Sequence, residues 1–93
     1  MMKLEGKTAF ITGGGGGIGG GMAQAFAEKG MKLVLADIDL AHARDQAAEF
    51  GDSAIAIALD VTSLDSWAAA KAAAYARFGQ VDVLCNNAGI SQP

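Results

Sequence analysis

The segment that most constrains this chain is Thr12-Gly13-Gly14-Gly15-Gly16-Gly17-Ile18-Gly19, which follows directly on the apolar run Thr8-Ala9-Phe10-Ile11. A buried strand that runs into a glycine turn and out into an amphipathic stretch leaves few architectures open. Glycine has no side chain, so backbone N–H groups in such a turn can approach a ligand closely. A helix opening behind the turn adds unpaired amide donors and the positive end of its dipole, which together suit a phosphate. The combination points to a bound dinucleotide and leaves open the chemistry done with it.

A bare G-x-G-x-x-G match is cheap in a glycine run, and this one satisfies it twice, at Gly14/Gly16/Gly19 and at Gly15/Gly17/Gly20. A flexible linker would match equally, but linkers are seldom set between a strand and a helix. A P-loop needs Lys-Ser/Thr after its last glycine, and Ile18-Gly19-Gly20 stands there instead.

Beyond the turn the pattern alternates. Apolar runs at Thr8–Ile11, Lys32–Ala36, Ala54–Leu59 and Val81–Cys85 predict four strands. Helices are expected from about Ile18 to Lys29, from Asp39 or a neighbour to Phe50, and from the Thr62/Asp65 capping-box-like spacing to Phe78. Ile18, Met22 and Phe26 fall on one side of the first helix, and Trp67 and Phe78 on one stripe of the third, where a core role is expected. Gly30, Gly51 and Gly79 follow the helices as C-terminal caps. Near-continuous apolar strands fit a parallel sheet covered on both faces. The fold class is therefore α/β: a Rossmann-type doubly wound parallel sheet, incomplete at βαβαβαβ, with strand order 3-2-1-4 and helices on both faces. In that order Val81–Cys85 is an edge strand with interior composition. Residues 1–93 are accordingly expected to be the N-terminal part of one dinucleotide-binding domain whose fold continues beyond.

Composition excludes several partner classes. At 52% apolar residues the 93-residue chain has enough material for a core. A net charge of −3, with seven scattered Lys and Arg, argues against nucleic acid. Met1-Met2-Lys3-Leu4 leads into no apolar segment long enough for a signal peptide or membrane span, and the single Cys85 can form no internal disulfide. A cytoplasmic setting is the expectation. His42 is the only histidine and has no Cys or His company, so no metal site is assigned.

Three further elements sit at strand ends. Asp37 ends the second strand, 18 residues after Gly19, where an acid can reach an adenine ribose. Its carboxylate would accept from the ribose hydroxyls and repel a 2′-phosphate; Asp39 is the better helix cap. Asp60-Val61 ends the third strand, where the acid either meets the adenine amino group or builds a turn. Asn86-Asn87-Ala88-Gly89 follows the fourth strand, with two amides able to bond across strand ends and two small residues that permit close approach. All four elements fall at the carboxyl ends of parallel strands, the side on which open α/β sheets bind ligands.

Taken together these residues resemble the N-terminal part of a short-chain dehydrogenase/reductase. Thr12-Gly13-x-x-x-Gly17-Ile18-Gly19, Asp37, Asp60-Val61 and Asn86-Asn87-Ala88-Gly89 stand in the family's order and spacing. The resemblance implies a Rossmann domain that binds NAD(H) or NADP(H), with NAD favoured by Asp37. The implied cofactor residues are Thr12, Gly13, Gly15, Gly16, Gly17, Ile18 and Gly19 at the pyrophosphate, and Asp37 and Ile38 at the ribose. Asp60 and Val61 fall at the adenine, and Asn87, Ala88 and Gly89 near the cofactor's ribose. It also implies hydride transfer between nicotinamide and a small alcohol or carbonyl substrate in a homo-oligomeric parent. Two departures stand out. Gly14-Gly15-Gly16 replaces the Ser or Ala frequent in the family's turn, and Gly20 and Gly21 enter the first helix at about 1 kcal/mol each against alanine. The family's catalytic Ser and Tyr-x-x-x-Lys have no counterpart: Tyr75 is mid-helix, and Ser91 comes too early. No catalytic residue is assigned, and the 93-residue chain is expected to be inactive by itself. Its alternatives are a non-catalytic nucleotide-binding fragment or a chain that needs the rest of the fold.

Overall fold

The structure, a computed structural model, describes residues 3–13 and 17–87. The apolar runs become strands β1 (Thr8–Thr12), β2 (Lys32–Asp37), β3 (Ala54–Ala58) and β4 (Val83–Asn86). Between them lie helices α1 (Gly17–Glu28), α2 (Leu40–Ala48) and α3 (Leu64–Phe78), with a 3₁₀ turn at Gly51–Ser53. All pairings are parallel and the sheet order is β3-β2-β1-β4, the expected topology. Ile11 sits at the centre of the register, level with Leu35 of β2 and Cys85 of β4.

Alternation along the strands divides the core into two layers. Ala9, Ile11, Leu33 and Leu35 face α1 and α2 and meet Ala23, Ala43 and Ala47. Phe10, Val34 and Ala36 face the opposite way and meet Ala70 and Ala74 of α3. Helices therefore cover both faces, as the unbroken apolar character of β1 and β2 requires. The helix contacts are mostly alanine, whose short side chain lets the helix backbone lie close to the sheet. In α3 the i,i+4 pair Ala70 and Ala74 is buried while Ala68, Ala69, Ala72, Ala73 and Ala76 are exposed. Of the predicted α1 stripe, Met22 and Phe26 pack against the core; the Ile18 side chain lies outside the described set. Trp67 and Phe78 both pack on the α3 side, and the Trp67 ring stacks on Phe10 at 6.0 Å.

Several boundaries shift by a residue or two, α2 ending at Ala48 rather than Phe50 among them, and two departures have a side-chain cause. The fourth strand starts at Val83 rather than Val81, because Asp82 supplies the first rung with its side chain. Its carboxylate oxygen Oδ2 accepts from the Thr8 N–H at 2.9 Å, while its own N–H donates to the Thr8 carbonyl. The third helix is capped by Ser63 and not by Thr62. The Thr62 hydroxyl donates to Asp60 Oδ1 at 2.6 Å, so it serves the preceding turn, and Ser63 Oγ accepts from the Ser66 N–H instead. At the other end Gly79 closes α3 in the left-handed region, φ +79, with its N–H on the Tyr75 carbonyl. β4 lies at a sheet edge, and Leu84 on it is 59% exposed.

Candidate functional site

At the carboxyl end of β1, Thr12 is fully buried and its hydroxyl joins three groups of the β4 end. It donates toward Asn86 Oδ1 at 2.9 Å and the Cys85 carbonyl at 3.2 Å, and it accepts from the Asn87 N–H at 2.8 Å. One side chain thus ties β1 to the Asn86-Asn87 segment, where the chain order of the sheet changes direction. Gly13 leaves the strand with φ +69 and donates its N–H to the Ala36 carbonyl at 2.7 Å. A Cβ at that positive φ would be strained, so glycine is what lets the chain turn over β2 before α1 begins. Gly17, Ile18 and Gly19 form the first turn of α1, and Gly20 completes it. Gly15 and Gly16 of the predicted turn, and Ala88 and Gly89 after β4, lie outside the described residues.

Asp37 closes β2 half-buried. Its Oδ1 accepts from the Asp39 N–H at 2.9 Å, and its carbonyl accepts from the Leu59 N–H. Asp39 is the cap of α2, as expected, accepting from the His42 N–H, with His42 Nδ1 3.7 Å from its other oxygen. The two acids therefore divide the work: Asp39 holds the helix and Asp37 stays at the strand end. Ile38 between them is 75% exposed. Asp60 sits just past β3. Its Oδ1 accepts from both the Thr62 hydroxyl and the Thr62 N–H, which hold its carboxyl below the usual carboxylate range. Its N–H donates to Ser66 Oγ, pinning the loop to α3. The turn-building alternative for Asp60 is thus realised, and it engages Oδ1. The Val61 carbonyl accepts from Trp67 Nε1 at 3.0 Å, fixing the same loop from the other side.

The carboxyl ends of β1, β2 and β4, and the loop after β3, carry Thr12, Asp37, Asn87 and Asp60 respectively. Met22 was not foreseen in this setting: Asn87 Nδ2 donates to its sulfur at 3.1 Å. Nothing in the sequence flags that contact, which depends on α1 lying against the end of β4. Burial raises the Cys85 thiol above its ordinary pKa, so it stands as a packed thiol with no disulfide partner. Among the described residues no group of three or more His, Cys, Asp or Glu could hold a metal ion. No described helix is long and apolar enough to cross a membrane. An apolar hollow of about 270 Å³ between α3 and β4 is lined by Phe10, Trp67, Lys71, Tyr75, Val81 and Leu84, and none of the described rim residues lines it.

A parallel β3-β2-β1-β4 sheet with helices on both faces, whose chain turns at Gly13 after β1, defines a Rossmann-type doubly wound α/β protein. The family described as short chain dehydrogenase matches residues 7–93, and the chain belongs to it. Galactitol 2-dehydrogenase of Agrobacterium fabrum is 49% identical over 89 residues, a match covering 96% of this chain and 35% of that protein. Sorbitol dehydrogenase of Cereibacter sphaeroides is 47% identical over 89 residues, with the same coverages. Among solved structures, a 3-ketoacyl-(acyl-carrier-protein) reductase from Brucella melitensis complexed with NADH superposes with a TM-score of 0.85. It shows 49% identity over 87% of this chain and 33% of that one. A short-chain dehydrogenase/reductase from Burkholderia phymatum in complex with NAD gives 0.85 at 37% identity, over 90% and 31%. The chain spans about a third of the length of the relatives it matches.

Proposed function

We propose that the rim binds a nicotinamide dinucleotide, NAD(H) in preference to NADP(H). We further propose that the chain is the cofactor-holding part of an oxidoreductase that moves hydride between nicotinamide and an alcohol or carbonyl substrate. The observation that carries this reading is the convergence of Thr12, Gly13, Asp37, Asp60 and Asn87 on the carboxyl ends of neighbouring parallel strands and the loop beyond them. The NADH and NAD complexes of the two similar structures favour the same ligand class. In this reading the turn from Thr12 through Gly13, Gly15, Gly16, Gly17, Ile18 and Gly19 takes the pyrophosphate on bare backbone and the start of α1. Asp37 and Ile38 take the adenine ribose, Asp60 and Val61 flank the adenine, and Asn87, Ala88 and Gly89 lie near the second ribose. NAD, when bound, supplies the hydride acceptor; the residues of this chain bind and orient it.

Charge sets the preference. A carboxylate accepts from ribose hydroxyls at about 1.5–3 kcal/mol per charge-assisted bond and repels a phosphate placed on the same hydroxyl. No Lys or Arg adjoins Asp37 in sequence to offset that repulsion. Calorimetry with NAD and NADP tests this directly. The intact chain should prefer NAD, and Asp37→Ala should narrow the preference about tenfold or more. An unchanged ratio would remove Asp37 from the site.

A second reading concerns catalysis. The one tyrosine of the sequence, Tyr75, has Gly79 four residues on, so the 93 residues supply no Tyr-x-x-x-Lys proton donor. Binding without turnover is the expected behaviour of this chain. Polyols head the substrate panel, because the galactitol and sorbitol dehydrogenases are close to half identical to it. A cytoplasmic setting and a homo-oligomeric parent belong to the same proposal.

A further inference from the structure

We infer that Met22 is a positioning residue for Asn87: its sulfur fixes which way the Asn87 amide faces, and so sets how tightly the rim holds its ligand. The inference rests on the dinucleotide-binding reading above. Asn87 is anchored at its main chain, where its N–H donates to Thr12 Oγ1 at 2.8 Å. That bond leaves the exposed side chain free to turn, and the half-turn about its last torsion exchanges Oδ1 and Nδ2. The Met22 sulfur, 3.1 Å from Nδ2, decides that half-turn. A thioether accepts a hydrogen bond and cannot donate one. It therefore welcomes the NH₂ and opposes the carbonyl oxygen, whose lone pairs would face those of sulfur. With Nδ2 on sulfur, Oδ1 turns away from α1 and stands as an acceptor at the exposed rim.

The selector is itself held in place. Met22 packs against the core layer that contains Ile11, Ala23 and Leu35, and Cys85 of β4 packs on that same layer. The sulfur is thus held by the core and the Asn87 main chain by Thr12, and the sulfur adds direction to the amide rather than bulk. A leucine at position 22 would fill similar space and offer no acceptor.

Four proteins test this with NAD calorimetry: the intact chain, Met22→Leu, Asn87→Ala and the double variant. Met22→Leu should weaken NAD binding about three- to tenfold, the range spanned by one net hydrogen bond. In the Asn87→Ala background the same change should have no further effect, because the sulfur acts only through the amide. Met22→Gln, which restores an acceptor oxygen at similar reach, should recover most of the loss. Equal affinity for Met22→Leu and the intact chain, or a loss undiminished in the Asn87→Ala background, overturns the inference. If the intact chain binds neither NAD nor NADP, the dinucleotide reading fails. The ligand-free ¹⁵N resonance of the Asn87 side-chain amide then decides the positioning role: a shift in Met22→Leu supports it, and an unmoved resonance overturns it.

Discussion

Single residues at the rim do paired duties. Thr12 is buried like a core residue and bonds like a polar one, and its one hydroxyl accounts for the closure of β1 against the Asn86-Asn87 segment. Asp60 shows the same economy, because the carboxylate that shapes its turn stands just past β3, at the carboxyl ends of the strands. The two Thr62 bonds lower its pKa in the folded chain, so the sign of its contribution is fixed. The unfolded chain binds the proton more readily, and the bonds stabilise the fold above the ordinary carboxylate pKa. That contribution is lost as pH falls through the depressed folded value. Below about pH 4, where an unfolded Asp protonates, Asp60→Asn should flatten the fall of thermal stability with acid. Melting curves of both proteins through that window check this, and parallel acid limbs would contradict it. The presence of Thr12 and Asp60 at strand ends was legible in the sequence. The local turn of Asp60 with Thr62 was legible too, but the partners of the Thr12 side chain were not, since Cys85, Asn86 and Asn87 lie more than 70 residues away.

At the scale of elements, glycine has opposite meanings at opposite places. Gly79 ends α3 at φ +79, a conformation that costs an L-residue about 1–2 kcal/mol. Gly21 lies exposed within α1, and a Cβ there meets nothing within 4 Å. Gly79→Ala should therefore destabilise by about 1 kcal/mol, and Gly21→Ala should stabilise by a similar amount. Urea unfolding of both variants measures the two shifts, and shifts of the same sign would refute the assignment. Gly20 is a different case, because its Cβ would stand 3.1 Å from Gln46 Nε2 on α2, so α1 and α2 approach closely there. Helix ends were readable where a cap is local, as with Asp39 and Gly79. They were misread at Thr62, where the hydroxyl had a competing acceptor two residues upstream. The Ser63-x-x-Ser66 spacing carried the right signal beside it.

The whole molecule is two alanine-lined helical layers on one short sheet. Ile11 belongs to the layer under α1 and α2, and Leu59 to the layer under α3. Ile11→Val and Leu59→Val should each cost about 0.5–1.5 kcal/mol. Because the two side chains belong to separate core clusters, the double variant should lose the sum within about 0.5 kcal/mol. A clear departure from additivity in denaturant unfolding would mean that the layers communicate through the strands. The same two-layer arrangement gathers the rim, since parallel strands must all present their carboxyl ends on one side.

Periodicity and turn chemistry in the sequence determined the alternation of strands and helices and the set of strand ends that carry polar residues, and the sheet order followed from the doubly wound fold that this alternation matches. The alternation and the strand ends depend on interactions within a few residues, and on strands whose two faces must both be buried. Tertiary structure alone decided that Asp82 opens β4 with a side-chain rung, that Thr12 clasps the Asn86-Asn87 segment, and that the Met22 sulfur meets the Asn87 amide. Those contacts join groups far apart along the chain, and their geometry exists only after the sheet has set the register of β1 against β4.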